Sequence, residues 1–591
     1  MQLGDYQMPK TVHNDLLNTF RNMQPTPIRT SLYAALFLTA FMALTSIGFF
    51  ARINLLIEQE RPGTLIAYLG LWGICWFCLM VAAMQPNRIV RWFWAIALSL
   101  SIAASQGYYL ISGSELGPYD VLSLWQASHE LGRAIDQYVP AAIWFSFVFV
   151  TSLAGFLLFP SPRHSLWKAH GSKLCWVPVI PVMLICTILL MKEGGGSQGL
   201  PQHFAPLAVS GVTLAKSAAQ PEQTRTAPTI KPHARPGVRN IVMLVDESVR
   251  ADYVNLTQGN VFTPMLADRA RQILNFGASA SGGNCSHYSN ALIRLSATRG
   301  NIVNSIKQNP TIWQYAKLAG YRTVFIDAQA SINKNASRFQ NFMTVTEAAD
   351  IDRIVTFDDI VTPNLDQELM KVVNEELSGP VPVFIYANKN GAHFPYQHGY
   401  PEDEVVFDVG EPTQVTVSKE AIIKSYINNI RWNVDRLLSH FLDSADLSET
   451  LMLYTSDHGQ VLNPGSMTHC SVENPNPREG LVPMLAMTQH PETLRRLKES
   501  VPQSWQKTSH FQLVPTILNA MGYASNQVAK VHGASLFDSP QPQGNGFSSG
   551  DIFGLFHQEV RWNELALDKA YLEAEAAALV EKSETARLDT K

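Results

Sequence analysis

At 591 residues the chain is too long for one compact domain. Charged residues make up only 16% of it and the net charge is −4, whereas an ordinary soluble domain is about 25% charged. That balance excludes a basic nucleic-acid-binding surface and points to a membrane-embedded part.

The shortage of charge lies before residue 192, where long apolar runs alternate with short basic loops. Five runs approach the ~20 residues that a bilayer core demands: residues 32–53, 65–84, 92–111, 141–158 and 174–191. The mostly polar stretch ahead of residue 32 and the spans that follow mark the first run as a span, not a cleaved signal peptide. Lys10, Arg21, Arg29, Arg88, Arg91, Arg163, Lys168 and Lys173 fall on one side of these spans. Only Arg52, Arg61 and Arg133 fall on the other. The bias puts the N-terminus in the cytoplasm and, after five crossings, exports the rest of the chain. Residues 1–191 therefore form a multi-span helical membrane domain. In the exported loop 119–139 apolar residues recur at helical spacing, which suits either the bilayer interface or packing against the exported domain.

Residues 192–237 contain "KEGGGSQGLPQHF" and "AQPEQTRTAPTIKPHARPG", rich in Gly, Ser, Pro and Gln, and read as a flexible linker. From residue 238 to 546, apolar strands alternate with helical segments. "NIVMLV", "YRTVFID", "VPVFIYAN" and "LMLYTSD" are the strands, and "KEAIIKSYINNIRWNVDRLLSHFLDSA" is the longest helical stretch. The alternation predicts an α/β domain with a mostly parallel central sheet, whose site sits at the carboxyl ends of the strands. Three of those strands end in Glu247, Asp327 and Asp457-His458. Residues 547–591, with "LALDKAYLEAEAAALVEKSETARLDTK", read as a surface helix and a tail.

Four stretches carry the chemistry: "VDESVRAD" with Glu247, "GGNCSHYSNALIRL" with Ser286 and Ser289, "YANKNGAHFPY" with His393, and "SDHGQVLNPGSMTHC" with Asp457, His458 and His469. Glu247, Asp457 and His458 offer hard oxygens and an imidazole, a set suited to Zn²⁺ or, alternatively, Mn²⁺. A hydroxyl at a helix N-terminus beside such an ion becomes a nucleophile toward phosphorus, and the helix end favours the phosphoryl charge. His393 and His469 lie close enough in the expected fold to hold a second ion or to protonate the departing oxygen.

Together "DESVRAD", "NCSHYSN", "GAHFPY" and "SDHG…H" resemble the membrane-bound phosphoethanolamine transferases of the alkaline phosphatase (sulfatase-like) superfamily. The likeness extends to lipoteichoic acid synthases and glucan phosphoglycerol transferases, and "TSHFQLVPTILNAMGY" is similar to a late helix of sulfatase-fold proteins. The resemblance implies a metal held by Glu247, a nucleophile hydroxyl, Asp457 and His458, with His393 and His469 serving donor, acceptor or a second ion. Those transferases use Thr as nucleophile, whereas this stretch offers two serines. Anchoring on Cys285 selects Ser289, at the start of "SNALIRL"; anchoring on "ILNFGAS" selects Ser286. Ser289 is the preferred assignment.

The reaction implied is transfer of phosphoethanolamine from a membrane phospholipid to a periplasmic glycan or lipid A through a phospho-seryl enzyme. It would run in a monomer of the bacterial inner membrane with a periplasmic catalytic domain. Phosphoglycerol transfer to a periplasmic glucan and an inert, lipid-sensing member of the fold are the alternatives. A sulfatase would want a Cys-x-Pro-Ser-Arg-like stretch, which "NCSHYSNALIR" does not supply. Cys285 and Cys470 are the two cysteines of the exported domain. Both border the site, as a bridge or as two buried thiols, and a bridge needs Cα atoms about 4.4–6.8 Å apart.

Overall fold

The computed structural model describes residues 27–160, 171–219, 224–233, 236–329, 343–357, 360–410, 418–538 and 545–567. Lys10, Arg21, Arg163 and Lys168 of the charge bias, and the tail from 568 on, lie outside them. The chain divides into two compact units: residues 1–109, 115–117 and 143–212 form one, and residues 110–114, 118–142 and 213–591 the other.

The first unit is helical. Helices α3 (Pro62–Ala83), α4 (Arg88–Ser112) and α7 (Val139–Leu157) are long and apolar enough to cross a membrane. The other two expected spans are modified. The first breaks into α1 (Pro27–Leu44) and α2 (Phe49–Glu58), bent by 62°, because Gly48 at the break adopts φ +74°, which a helix cannot contain. The fifth becomes α8 (Val179–Met191), 13 residues led in by Pro178; at 1.5 Å per residue it extends about 20 Å, short of the ~30 Å bilayer core.

The expected linker is largely ordered. Leu200, Phe204, Ala205, Ala208 and Val209 are buried, and α9 (Ala205–Ala219) runs from one unit into the other. The Gly/Pro-rich ends of this segment hid an apolar row at i, i+4 spacing that was sufficient to fold it.

In the second unit an eight-stranded sheet has the order β4-β3-β5-β1-β6-β7-β2-β8. Its strands are β1 (Asn240–Asp246), β2 (Leu274–Ala280), β3 (Arg322–Asp327), β4 (Arg353–Thr356), β5 (Val383–Asn388), β6 (Thr450–Ser456), β7 (Leu481–Thr488) and β8 (Thr508–Ser509). All but β7 run in one direction. On β1 the side chains alternate between two cores. Val242 and Leu244 pack with Tyr426 and Ile430 on one face, and Ile241, Met243 and Val245 pack with Leu513 and Ile517 on the other. Burial on both faces explains why the strand reads as an unbroken apolar run. Where a C-terminal helix was expected from residue 547, residues 546–564 contain an antiparallel hairpin of β9 (Gly546–Gly550) and β10 (Val560–Glu564). Phe547 and Trp562, strand-favouring aromatics, lie ahead of the Ala/Glu-rich sequence. The loop expected to be exported forms α5 (Pro118–Gln126) and α6 (Leu131–Gln137), which belong to the second unit. Tyr119 meets Phe556 and Tyr138 meets Phe394, edge to face, while Leu124, Trp125, Leu131 and Ile135 remain exposed.

A buried ion cluster sets the ends of the central strands. Lys389, just past β5, is fully buried and donates to Asp246 Oδ2 at 2.5 Å and to the Asn433 carbonyl at 2.6 Å, with Asp366 Oδ2 at 3.5 Å. Asp366 in turn accepts the backbone N–H groups of Asn390 and Gly391. Gly391 sits at φ +52°, and a Cβ there would collide with Asp246 Oδ1 and the Glu247 amide, so the close approach requires glycine.

Two outcomes test this account. Limited proteolysis of the folded chain should leave Ala205–Ala219 uncut, as mass spectrometry of the fragments would report; early nicking there would restore the linker. Lys389→Met should destabilise the chain by ~3–5 kcal/mol, because it strands two buried carboxylates. Lys371→Met, on an exposed pair, should change stability, read from thermal unfolding, by less than about 1 kcal/mol.

Candidate active site

β1 and β6 are parallel neighbours, with Asp246 opposite Ser456, so the residues that follow, Glu247 and Asp457, emerge side by side. Ser248 then takes φ +62°, a conformation costly for a residue with a Cβ. In that turn its amide donates to Asp457 Oδ1 at 3.1 Å and its hydroxyl to Glu247 Oε1 at 2.7 Å. Glu247, Asp457 and His458 are all buried.

His458 lies between the two acids. Its Nε2 is 3.4 Å from Glu247 Oε1 and 3.6 Å from Asp457 Oδ2, and its Nδ1–H donates to the Gly459 carbonyl at 2.7 Å. That bond fixes the ring and turns Nε2 toward the carboxylates. Burial opposes charge on His458, but Asp457 and Glu247 outweigh it and push its pKa up to about 9. Burial would likewise raise Glu247, yet the His458 imidazolium holds it well below the usual carboxylate range. Asp457 is pushed well above that range, by burial first and then by the Glu247 charge.

Of the two serines the structure brings Ser286, not Ser289, to this cluster. Helix α10 (Ser286–Arg294) begins with Ser286, which is half-buried. Its hydroxyl donates to Glu247 Oε2 at 3.0 Å and lies 3.1 Å from His458 Nε2. Ser289 is fully buried one turn further in and faces away. Its Oγ accepts from the Gly283 amide at 3.1 Å and donates to the Gly283 carbonyl at 3.0 Å. The preferred Ser289 thus lies outside the cluster: the helix opens three residues earlier than "SNALIRL" suggested, and Ser289 closes the Gly-rich turn.

His469 stacks on His458 with ring centroids 4.1 Å apart, and ligand atoms of Glu247, His458 and His469 lie within 4.8 Å of one another. His393 is buried, with Nδ1 2.5 Å from the Phe394 carbonyl oxygen, and close enough to Glu247 to stabilise its charge. Asp327 stays at the end of β3, with β5 between it and β1, accepting from the Gln329 amide and Asn388 Nδ2.

Several contributors were not legible from the motifs. Gln329 Nε2 donates to Glu247 Oε2 at 2.9 Å and to the Lys389 carbonyl at 2.7 Å. His510 is buried and accepts the Gly282 amide on Nδ1 at 3.0 Å while its Nε2 is 3.0 Å from Thr455 Oγ1; burial pushes it down to about 3, so it is neutral and Nε2 is the donor. It couples the turn before Ser286 to β6. Glu479 accepts from Asn284 Nδ2 and the Ser471 amide, tying the Ser286 turn to the His469 loop. A Lys directly after the buried strand in "YANKN" was the one available signal, since such a charge demands a partner.

The residues fit a divalent cation. Asp457 Oδ2 is buried without a hydrogen-bond partner, beside a second carboxylate and an imidazole. Glu247, Asp457, His458 and the Ser286 hydroxyl form an oxygen-and-nitrogen donor set of the kind Zn²⁺ accepts.

Residues 239–523 match the sulfatase family model. No curated protein matches the chain in sequence. Among solved structures, the integral membrane protein lipooligosaccharide phosphoethanolamine transferase A (EptA) from Neisseria meningitidis has 15% identity and a TM-score of 0.56. That match covers 85% of this chain and 99% of EptA. The C-terminal periplasmic domain of EcEptC from Escherichia coli, in complex with Zn, matches at 18% identity and a TM-score of 0.47, over 58% of this chain and 99% of its own. The soluble domain of the Neisseria meningitidis enzyme follows at 17% identity and a TM-score of 0.41, over 54% and 96%. Residues 239–523 thus form a sulfatase-like domain behind an apolar helical region, and over most of its length the chain shares the fold of EptA.

Proposed function

We propose that the chain transfers phosphoethanolamine from a membrane phospholipid to a periplasmic glycan or lipid A, with Ser286 as the covalent carrier. The observation that carries this reading is the Ser286 hydroxyl at a helix N-terminus, 3.0 Å from Glu247 and 3.1 Å from His458. The fold shared with EptA supports a catalytic domain on the periplasmic side of an inner membrane. The exposed Leu124, Trp125, Leu131 and Ile135 of the α5–α6 loop support a surface resting on lipid.

Ser286 Oγ, held by its hydrogen bond to Glu247 Oε2, loses its proton to solvent and attacks the phosphorus of the lipid phosphodiester. Glu247, Asp457, His458 and the Ser286 hydroxyl would hold a Zn²⁺, which would lower the hydroxyl pKa and offset charge on the phosphoryl oxygens. The α10 N-terminus adds backbone N–H groups and the favourable end of the helix dipole. The bond from phosphorus to the glycerol oxygen breaks, and His469, the more exposed of the two candidate histidines, protonates the departing diacylglycerol. An acceptor oxygen then attacks the phospho-seryl group, with His469 or His393 taking its proton. Gln329 and Lys389 keep Glu247 aimed throughout.

Ser286→Ala should lower turnover by about 10⁴-fold or more, the scale of deleting a nucleophile, and abolish phospho-peptide formation in mass spectrometry of trapped enzyme. Ser289→Ala should keep turnover while costing ~1–3 kcal/mol of stability through the unpaired Gly283 amide. The reverse outcome would return the nucleophile to Ser289. Asp457→Ala and His458→Ala should lose both bound metal and activity, read by elemental analysis and lipid assay. Mass spectrometry of lipid A and periplasmic glucans from a deletion strain should lose an ethanolamine phosphate; loss of a glycerol phosphate would change the headgroup, and no loss with no bound metal would favour a lipid sensor.

A further inference from the structure

Ser286 is flanked by two side chains that the proposed reaction does not use. Cys285 and His287 turn to a different cluster, where they meet Cys470: the two sulfurs and a His287 ring nitrogen lie within 4.8 Å of one another. Cys285 and Cys470 form a disulfide, Cα atoms 4.8 Å apart. Cys285 and His287 are buried, and His287 meets Tyr288 edge-on at 4.5 Å and stacks with Phe553 at 6.3 Å between ring centroids. The ring therefore keeps its place whether or not the bridge is closed.

The two cysteine backbones are also held together without the bridge. The Cys470 amide donates to the Asn284 carbonyl at 2.9 Å, and Asn284 Nδ2 donates to the Ser471 carbonyl and to Glu479 Oε2, both at 2.8 Å. The Ser471 amide donates to the same Glu479 oxygen at 3.1 Å, and Glu479 Oε1 accepts the Asn476 amide at 3.0 Å. Opening the disulfide leaves this clamp intact.

We infer that the disulfide masks a second cation site, in which the reduced Cys285 and Cys470 thiolates and the His287 imidazole bind a thiophilic divalent cation such as Zn²⁺. A dithiol supplies the two electrons. Its own two sulfurs join as a disulfide, the Cys285–Cys470 bond breaks, and two thiols form, whose protons leave to solvent as the cation binds. Two sulfurs bound tetrahedrally at ~2.3 Å lie about 3.8 Å apart, inside the present 4.8 Å envelope. Two thiolates and one imidazole form a softer set than the oxygen-rich group around Glu247, and a fourth position stays open for water. The site is independent of the transferase reading, and its occupation would grip the residues on both sides of Ser286.

The test uses the full chain in detergent, oxidised or reduced with a dithiol that is then removed without air, and titrated with Co²⁺. Reduced protein should bind one more Co²⁺ per chain than oxidised protein, with a near-ultraviolet sulfur-to-cobalt charge-transfer band. The Cys285→Ser/Cys470→Ser double variant, which keeps Cys75, Cys78, Cys175 and Cys186, should show neither. His287→Gln, which leaves the bridge able to form, should weaken the extra site by at least the ~10–100-fold typical of losing even an outer-shell partner. The inference fails if reduction adds no cobalt, if the band survives in the double variant, or if His287→Gln binds as well as the native chain. It fails too if reduction abolishes the near-ultraviolet dichroism, because the clamp would then not hold the loops without the bridge.

Discussion

The registration of β1 against β6 is the constraint on which the site depends. Asp246 opposite Ser456 leaves no freedom in where the next residues emerge, and those residues are both acids. Two carboxylates forced together out of water repel each other and lose hydration. The chain compensates locally, with the Ser248 amide and hydroxyl and the His458 imidazolium each facing one or both acids. What remains is Asp457 Oδ2, buried and without a hydrogen bond. The main-chain ladder has thus built a site for positive charge before any side chain selects which cation fills it.

The same ladder explains how much of the domain was legible in the sequence. A strand buried on both faces must be apolar throughout, so "NIVMLV" and "LMLYTSD" revealed both their presence and their ends, and the ends are where Glu247, Asp457 and His458 stand. Packing between distant segments leaves no such mark. The Asn284–Glu479 contact joins residues 195 apart in sequence, and Gln329 reaches Glu247 across 82; neither lies in a periodic pattern. The segment 192–237 misled in the opposite way, since its Gly and Pro advertised a break while Phe204, Ala208 and Val209 carried the fold.

The serine assignment turned on a single helical turn. Counting from Cys285 placed the helix start at "SNALIRL", but the backbone of Cys285 is extended and already caps the helix. Ser286 therefore occupies the first helical position, where backbone N–H groups are unpaired and a hydroxyl is accessible. Ser289, a turn later, is inside the helix and fully buried, and a side chain there can only bond locally. Helix boundaries are poorly marked in sequence when the cap lacks a side-chain acceptor, as Cys285 does.

Short-range bonds around Ser286 come from three directions, and their redundancy has a mechanical meaning. His510 holds Gly282 from the side of β6, Glu479 holds Asn284 from the loop before β7, and the disulfide holds Cys285 to the residue after His469. The nucleophile candidate and its candidate acid are thereby positioned on one rigid piece, although 183 residues separate Ser286 from His469 in the sequence. A phosphoryl group transferred between two bulky partners must be met by both groups at fixed spacing. Of the three restraints the disulfide is the one that a change of redox state opens, and it is the one that lies against a third potential ligand, His287. Rigidity at the Ser286 turn is therefore supplied mostly by hydrogen bonds that do not respond to redox state, which leaves the sulfurs available for chemistry of their own.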